Sequence, residues 1–459
     1  MLEAKVFIKE FENHDFYFYD TNWWPLIKVQ VAYQLQLKNA GTFNKTQIKS
    51  SYLNEILKLT FKEKIKYFLQ LFRSSLSADN LIVTDFCKTS VNKDNLKNLA
   101  NPYTDTFIHY FNEFEIDYFL YHVGLDKTLF GFDIPLLKKK YSKSTLSKFE
   151  EDIKFKTQLR KLSQFLTETY GEDFELYDFL VRTILSNQEY YIVFLLILKN
   201  AKVKKIVLYC YYNNFMMSII RAANKLNITT IEYQHSQVTS NHFAYSNWNS
   251  KLQGGQVFFP SKIWVWRKKD ADYLQNQFRK VKDIKFVVGG NLAIALSTIK
   301  REEKANSKVK VLITLQGNGI PDYIVNQLES QSDLIFYLRL HPRYPQDKEF
   351  CERLQLKHKS QIELEMSNSK SLYELFAQVD YHLTCFSGSA IEAKYFNLTN
   401  IIFGEKGYVT FQEEIEKGEF LFVSNQQEFD AILKNRIKTD CNEESTDINL
   451  CQLFEDNFN

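Results

Sequence analysis

From residue 204 onward, short apolar runs alternate regularly with stretches of helical period. Residues 206–210 are continuously apolar, as expected of a strand buried on both faces. Asn213 or Asn214 caps a following helix, whose apolar face holds Phe215, Met216, Ile219, Ile220, Ala223 and Leu226. Residues 228–233 form the next strand, and a β–α–β unit of this kind implies parallel pairing. The same alternation predicts strands over 262–266, 285–288, 309–315, 334–340, 381–386, 400–403 and 420–423. Helices are predicted between them, over 269–278, up to 328, over 390–396 and over 427–437.

The first 200 residues are less regular. Residues 5–11 and 16–20 read as short strands, 48–72 as a helix and 80–84 as a strand, with 85–200 largely helical. At 459 residues the chain exceeds one hydrophobic core, so two domains are expected, with a boundary at Phe259-Pro260. Residues 1–260 then form the first domain, 261–438 the second, and 439–459 an acidic tail that frays or packs loosely.

Composition narrows the class. Hydrophobic content of 45% with 25% charged residues is that of a folded globular chain. A net charge of +3 argues against a dedicated nucleic-acid binder, and the basic runs near 138–140, 202–205 and 267–269 read as solvated faces. The six cysteines are scattered without a CxxC pair, which suggests neither a zinc site nor a disulfide framework and fits a reducing compartment. No signal peptide is expected, and the longest apolar run, 190–198, is too short to span a bilayer. A cytoplasmic location follows as the expectation. Trp23-Trp24 beside Lys28 reads first as a packed aromatic pair, with peripheral contact at the inner membrane face as the alternative.

Candidate chemistry gathers at predicted strand ends, where open α/β sheets bind ligands. Glu232-Tyr233-Gln234-His235 closes one strand and sets His235 where a general base would stand; a loop histidine bonded to the backbone is the plainer reading. His242 follows in a long loop. Asp270-Ala271-Asp272 matches the DxD of metal-dependent sugar transferases in form, but lies inside a predicted helix and is discounted. Gln316-Gly317 begins a strand-to-helix turn suited to phosphate or sugar. Arg339 and His341 share one face of a strand that Pro342 ends, and Arg343 follows. About 45 residues later, Ser387-Gly388-Ser389 forms a turn into a helix carrying Glu392. Hydroxyls, a glycine and a helix N-terminus suit a phosphate there, although Ser389-x-x-Glu392 also has the form of a capping box.

Four segments together resemble the GT-B glycosyltransferases of bacterial surface-polysaccharide assembly. They are Glu232-Tyr233-Gln234-His235, Val288-Gly289-Gly290-Asn291, Arg339-Leu340-His341-Pro342 and Phe386-Ser387-Gly388-Ser389-Ala390-Ile391-Glu392-Ala393. The His-Pro and Ser-x-Ser pair is similar to motifs of bacterial sialyltransferases, polysialyltransferases, Kdo transferases and the polyol-phosphate transferases of teichoic acid synthesis. The resemblance covers residues 204–435. It implies an α/β fold of two Rossmann-like domains facing across a cleft, here with a largely helical N-terminal elaboration. The acceptor side would come from the first domain, through Glu232, Gln234 and His242. The donor side would come from the second, through Gln316, Gly317, Arg339, His341, Arg343, Ser387, Gly388, Ser389 and Glu392. His235 would be the base, and His341 would assist departure of the donor phosphate. Ser236 follows the first motif where relatives often carry glycine, and their acidic base motif is absent, which points away from a sialic acid donor.

The resulting expectation is metal-independent, cofactor-free transfer of a sugar from a nucleotide-activated donor to a glycan or lipid-linked acceptor. A CDP-polyol phosphotransferase, a nucleotide-sugar epimerase and a catalytically silent glycan-binding scaffold are the alternatives.

Overall fold

The computed structural model describes residues 2–39, 43, 78–85, 101, 103–123, 128–240, 242–248, 252–297, 308–331, 333–341, 344, 346–439 and 448–458. The helix expected over 48–72 lies outside them, and so does Arg343. The chain divides into two compact units, each an α/β domain with a six-stranded, wholly parallel sheet.

The first unit's sheet holds β1 (Asn80–Asp85), β2 (Tyr118–Val123), β3 (Lys205–Tyr209), β4 (Thr229–Tyr233), β5 (Lys262–Val265) and β6 (Lys285–Val288). Their order is β6-β5-β4-β3-β1-β2. The first-formed strand therefore has neighbours reached in opposite directions, and the switch falls between β1 and β3. β3 and β4 are buried on both faces except at their first residues, which explains the unbroken apolar run that β3 carries after Lys205. The helix Asn214–Lys225 between them starts where Asn213 Oδ1 accepts from the Phe215 amide at 2.9 Å. It buries Met216, Met217, Ile219, Ile220, Ala222 and Ala223. A turn follows in which Asn227 takes a left-handed conformation (φ 58°).

Four expectations are corrected here. Residues Leu2–Phe11 are a helix, not a strand; Ala4, Phe7, Ile8 and Phe11 make its buried stripe. Residues 118–123 are a strand inside the region read as helical. The division falls at Asn291/Leu292, not at Pro260, because β5 and β6 extend the first sheet from β4. Finally, Leu450–Phe458 is no loose tail. It is a helix of the first unit, with Phe454 and Phe458 packed on Phe107 and Phe111, and Phe454 also on Trp264. Lys262 Nζ donates to Asn457 Oδ1 at 2.7 Å, which fastens this helix to β5.

The second unit holds β7 (Val309–Thr314), β8 (Leu334–Arg339), β9 (Ile362–Glu363), β10 (Tyr381–Thr384), β11 (Thr399–Phe403) and β12 (Leu421–Val423). Their order is β9-β8-β7-β10-β11-β12. In chain order this is 3-2-1-4-5-6, the Rossmann arrangement, with the switch between β7 and β10. Its own core centres on Val311, Ile313, Phe336, Leu338, Leu383, Ile401 and Phe429.

Trp23 and Trp24 are 0% and 1% exposed, so the aromatic pair is core and offers no membrane-facing surface. Lys28 is sealed beside them; its ammonium donates to Ser246 O at 2.6 Å and Asn247 O at 3.0 Å and lies 3.3 Å from the Trp248 ring centroid. Among the described residues, no helix is long and apolar enough to cross a membrane.

Candidate functional site

In the first unit the candidate chemistry collects where β3 and β4 end. Cys210 closes β3 in a left-handed conformation (φ 55°), which a residue other than glycine adopts only at a cost of about 1–3 kcal/mol. That turn leads into two tyrosines with different fates. Tyr211 is fully buried and donates to Ala244 O at 2.5 Å. Tyr212 is partly exposed, and its hydroxyl stands 2.9 Å from His235 Nε2 and 3.4 Å from His242 Nε2. Ser236 Oγ is 3.2 Å from the same His242 nitrogen. The rings of Tyr103, Tyr209 and Tyr212 surround His235, with centroids at 5.6–5.7 Å. The structure thus brings His235 and His242 together, and adds Tyr212 and Ser236, which sequence reasoning did not single out.

Glu232 and Gln234 share a face of β4 and point inward, at 0% and 1% exposed. Glu232 Oε1 accepts from the Tyr245 hydroxyl at 2.9 Å and the Tyr211 amide at 3.3 Å. Burial pushes its carboxyl up to about 8, against the pull of those two donors, so it is protonated at neutral pH. Gln234 accepts from the Trp266 amide at 2.9 Å and donates to Ser236 O at 3.0 Å. Both side chains brace the strand ends and the 242–248 loop. The Gly289-Gly290-Asn291 motif has a packing cause as well. A Cβ on Gly289 would lie 2.0 Å from Trp264 Cε2, and Trp264 Nε1 donates to Gly290 O at 3.1 Å. The formal DxD is absorbed by ion pairs, Asp270 with Arg267 at 2.7 Å and Asp272 with Lys268.

In the second unit, candidate residues follow the carboxyl ends of three neighbouring parallel strands, β8, β7 and β10, of which β7 and β10 flank the switch point. Gln316-Gly317 follows β7, His341 follows β8, and Ser387-Gly388 follows β10. Gly317 has φ 82°, and its amide donates to Asp347 Oδ2 at 2.6 Å; a Cβ would come within 2.8 Å of the Tyr344 ring. Asn368 finishes β8, donating to Leu338 O and accepting from the Leu340 amide, both at 2.9 Å. His341 then emerges half-buried, its ring 5.0 Å from that of Tyr344. Ser387 and Gly388 are half-exposed.

Four donor-side candidates engage protein groups through their side chains, and of these Ser387 Oγ accepts from the Ser389 amide at 3.3 Å. Arg339 donates to Ser367 O and Lys370 O at 2.7 and 2.6 Å, and burial lowers its pKa. Glu392 accepts from the Tyr373 hydroxyl at 2.9 Å. Ser389 is 6% exposed, and its Oγ lies 3.1 Å from Thr314 Oγ1 and 3.2 Å from His382 Nε2. The capping box is not formed. Gly388 is the N-cap of the six-residue helix Ser389–Lys394, and no side chain caps it.

His382 escaped sequence reasoning, because it sits inside a run read only as apolar. It is fully buried and pairs in register with Asn400 of β11, whose Oδ1 accepts from Nδ1 at 2.7 Å. Nε2 is then the acceptor for the Thr314 and Ser389 hydroxyls, with Thr314 at 3.0 Å. Burial lowers its pKa to about 4, so it is neutral at working pH. This network ties β7, β10, β11 and the Ser387–Ser389 turn together. The signal for it was His382 opposite Asn400, the one pair of strand partners here in which both residues are polar.

The second unit also carries a cleft of about 520 Å³ at the ends of β11 and β12, lined by Pro321, Tyr323, Gly404, Glu405, Tyr408, Phe422 and Ser424. That is within the roughly 300–1,000 Å³ of small-molecule sites. None of the sequence-predicted residues lines it. Its helix Glu405–Thr410 packs against the Ser387 turn; a Cβ on Gly407 would lie 2.3 Å from Cys385 O, and Lys406 Nζ is 3.6 Å from the Phe386 ring centroid. Among the described residues, no three His, Cys, Asp or Glu side chains converge as a metal-binding group.

No family model matches the sequence, and no curated protein matches it significantly. Among solved structures, the chain is similar to the UDP-GlcNAc 2-epimerase from Neisseria meningitidis bound to UDP-GlcNAc, at 13% identity and a TM-score of 0.47, over 82% of this chain and 98% of that one. It is similar to the UDP-GlcNAc 2-epimerase from Methanocaldococcus jannaschii at 13% identity and a TM-score of 0.45, over 80% and 93%. The GtfA/B complex is similar at 13% identity and a TM-score of 0.34, over 59% and 56%. The assignment of two Rossmann-like domains rests on the sheet orders above.

Proposed function

We propose that this chain is a nucleotide-sugar-dependent enzyme, and that it transfers the sugar to a glycan or lipid-linked acceptor. The observation that carries the reading is the placement of His341, Gln316-Gly317 and Ser387-Gly388 after the carboxyl ends of the neighbouring parallel strands β8, β7 and β10 in a 3-2-1-4-5-6 sheet. That position suits a nucleoside diphosphate or monophosphate, with Ser387, the Gly388 backbone and His341 available to the developing negative charge. In the transfer, a base takes the proton of an acceptor hydroxyl while its oxygen bonds to the anomeric carbon. The bond from that carbon to the donor phosphate oxygen breaks, and the electron pair leaves with the nucleotide. His235 is the candidate base. Ser389, Arg339 and Glu392 act at one remove, by fixing the turn and the strand ends.

Epimerisation of a nucleotide sugar is the second reading. The pair of histidines beside Tyr212 favours it equally, since a neutral imidazole such as that of His242 can take a proton from carbon as well as from oxygen, and no acceptor is then needed.

A thermal-shift panel with UDP, GDP, CMP, CDP and ADP tests the shared part. A ligand at about 100 times its Kd stabilises by about 2.7 kcal/mol. One nucleotide should raise the melting temperature, and Ser387→Ala and His341→Ala should each weaken that response. If no nucleotide binds a folded sample, the proposal fails and the glycan-binding scaffold takes its place. The responding nucleotide's sugar derivatives, incubated without acceptor and followed by proton NMR, separate the two readings. New sugar resonances mean epimerisation, whereas turnover that begins only with added glycan means transfer.

A further inference from the structure

We infer that Tyr212 is a positioning residue that holds His235 in a single tautomer, through a one-way chain of hydrogen bonds starting at the Ala244 amide. The inference rests on the reading of His235 as the proton-transfer group. The direction of the chain follows from its donors. A backbone N–H only donates, so the Ala244 amide, 3.3 Å from His242 Nδ1, makes that nitrogen an acceptor. Burial, with the charges of His235 and Lys28 added, lowers the His242 pKa to about 3, and the ring is neutral. Its one proton is therefore on Nε2, facing Ser236 Oγ at 3.2 Å and Tyr212 Oη at 3.4 Å. A protonated Nε2 cannot accept, so Tyr212 does not donate to His242. Of the groups around its hydroxyl, Ser236 and Cys210 among them, His235 Nε2 at 2.9 Å is the most basic acceptor, and the Tyr212 proton turns to it. Burial raises the Tyr212 pKa well above the ordinary phenol value, so this proton stays in place. His235 is left with its proton on Nδ1, and with Nε2 as the nitrogen whose basicity Tyr212 sets.

The surroundings of the chain are defined. Tyr103 and Tyr209 face His235; Lys28 and Tyr245 face His242; Cys210 and Glu232 face Tyr212. Glu232, the carboxyl among them, keeps its proton up to about pH 8. The Tyr212 bond favours the neutral form of His235, since a donor at Nε2 must be given up when that nitrogen is protonated. Replacing it removes that preference, and a single hydrogen bond corresponds to a shift of about one pH unit.

The test is long-range proton–nitrogen NMR on the full chain with ¹⁵N-labelled histidine, using His235→Gln and His242→Gln to assign the two rings. At pH 7, His242 should carry its proton on Nε2 and remain neutral down to pH 4, and His235 should carry its proton on Nδ1. In Tyr212→Phe, the His235 titration midpoint should rise by about one unit. A wild-type His235 protonated on Nε2 overturns the proposal, and so does an unmoved midpoint in a folded Tyr212→Phe sample. If that variant does not fold, the wild-type tautomers decide alone. None of these readouts depends on turnover, so a failed nucleotide-sugar assay and a failed tautomer assignment remain distinct results.

Discussion

Glu232 shows how a residue in a motif can be chemically prominent and mechanically internal. Its carboxyl is held by Tyr245 and Tyr211 and is protonated up to about pH 8. In the unfolded chain the same group ionises near the ordinary glutamate value of 4.5. Between these limits the folded state binds the extra proton, so rising pH favours unfolding, by up to about 1.4 kcal/mol per unit. The loss begins above about pH 4.5 and is complete once pH passes about 8. Glu232→Gln keeps the shape and removes the titration. Its stability relative to wild type should therefore climb between pH 5.5 and 8, as read from urea unfolding at both values. A constant difference across that interval would mean that the carboxyl is ionised in the fold. His382 carries the opposite sign. It is neutral in the fold down to about pH 4, so its contribution is lost as pH falls from 6.5 towards 4.

At the scale of elements, what was legible followed from period and caps. The strand, Asn213 cap, helix and strand over 205–233 read directly, because most buried positions are apolar and the cap is local. Removing the cap with Asn213→Ala should cost about 1 kcal/mol. Ile220→Ala on the buried face should cost about 2–5 kcal/mol, and denaturant melts of the two variants measure both. Residues 5–11 were misread because Val, Phe and Ile favour strands, while the burial of Ala4, Phe7, Ile8 and Phe11 obeys a helical period. β2 was missed because its burial pattern does not alternate cleanly, as befits an edge strand. The placement of His235, His341 and Ser387 just after strand ends was legible for the same kind of reason, but partners from distant segments decide which side chains turn inward. Thr314 and His382 for Ser389, Tyr373 for Glu392, and Ser367 and Lys370 for Arg339 are all such partners.

At the scale of the molecule, the chain folds as two units of unequal continuity. The second is nearly all one segment, Leu292–Ile448, whereas the first takes back Asn449–Asn459 after the second is complete. That return is driven by burial. Phe454 is 0% exposed and meets Phe107, Tyr110, Phe111 and Trp264, and Asn80 Nδ2 reaches Phe458 O at 3.4 Å. A buried phenylalanine cut to alanine costs about 3–5 kcal/mol, a large share of a domain's stability. Phe454→Ala should therefore lower the melting of the first unit, although it lies far downstream of the β6 strand that ends that unit's sheet. Phe336→Ala, in the core of the second unit, should leave the first unit's transition where it is. Hydrogen exchange read by mass spectrometry assigns each loss to its unit. Phe454→Ala should deprotect peptides covering 205–233 and spare those covering 309–339, with the reverse for Phe336→Ala. Deprotection of 309–339 by Phe454→Ala, with 205–233 unchanged, would place the last helix in the second unit and overturn the division. The pattern also has a kinetic consequence, since the first unit buries Trp264 and Phe107 fully only after the last helix has been made and docked.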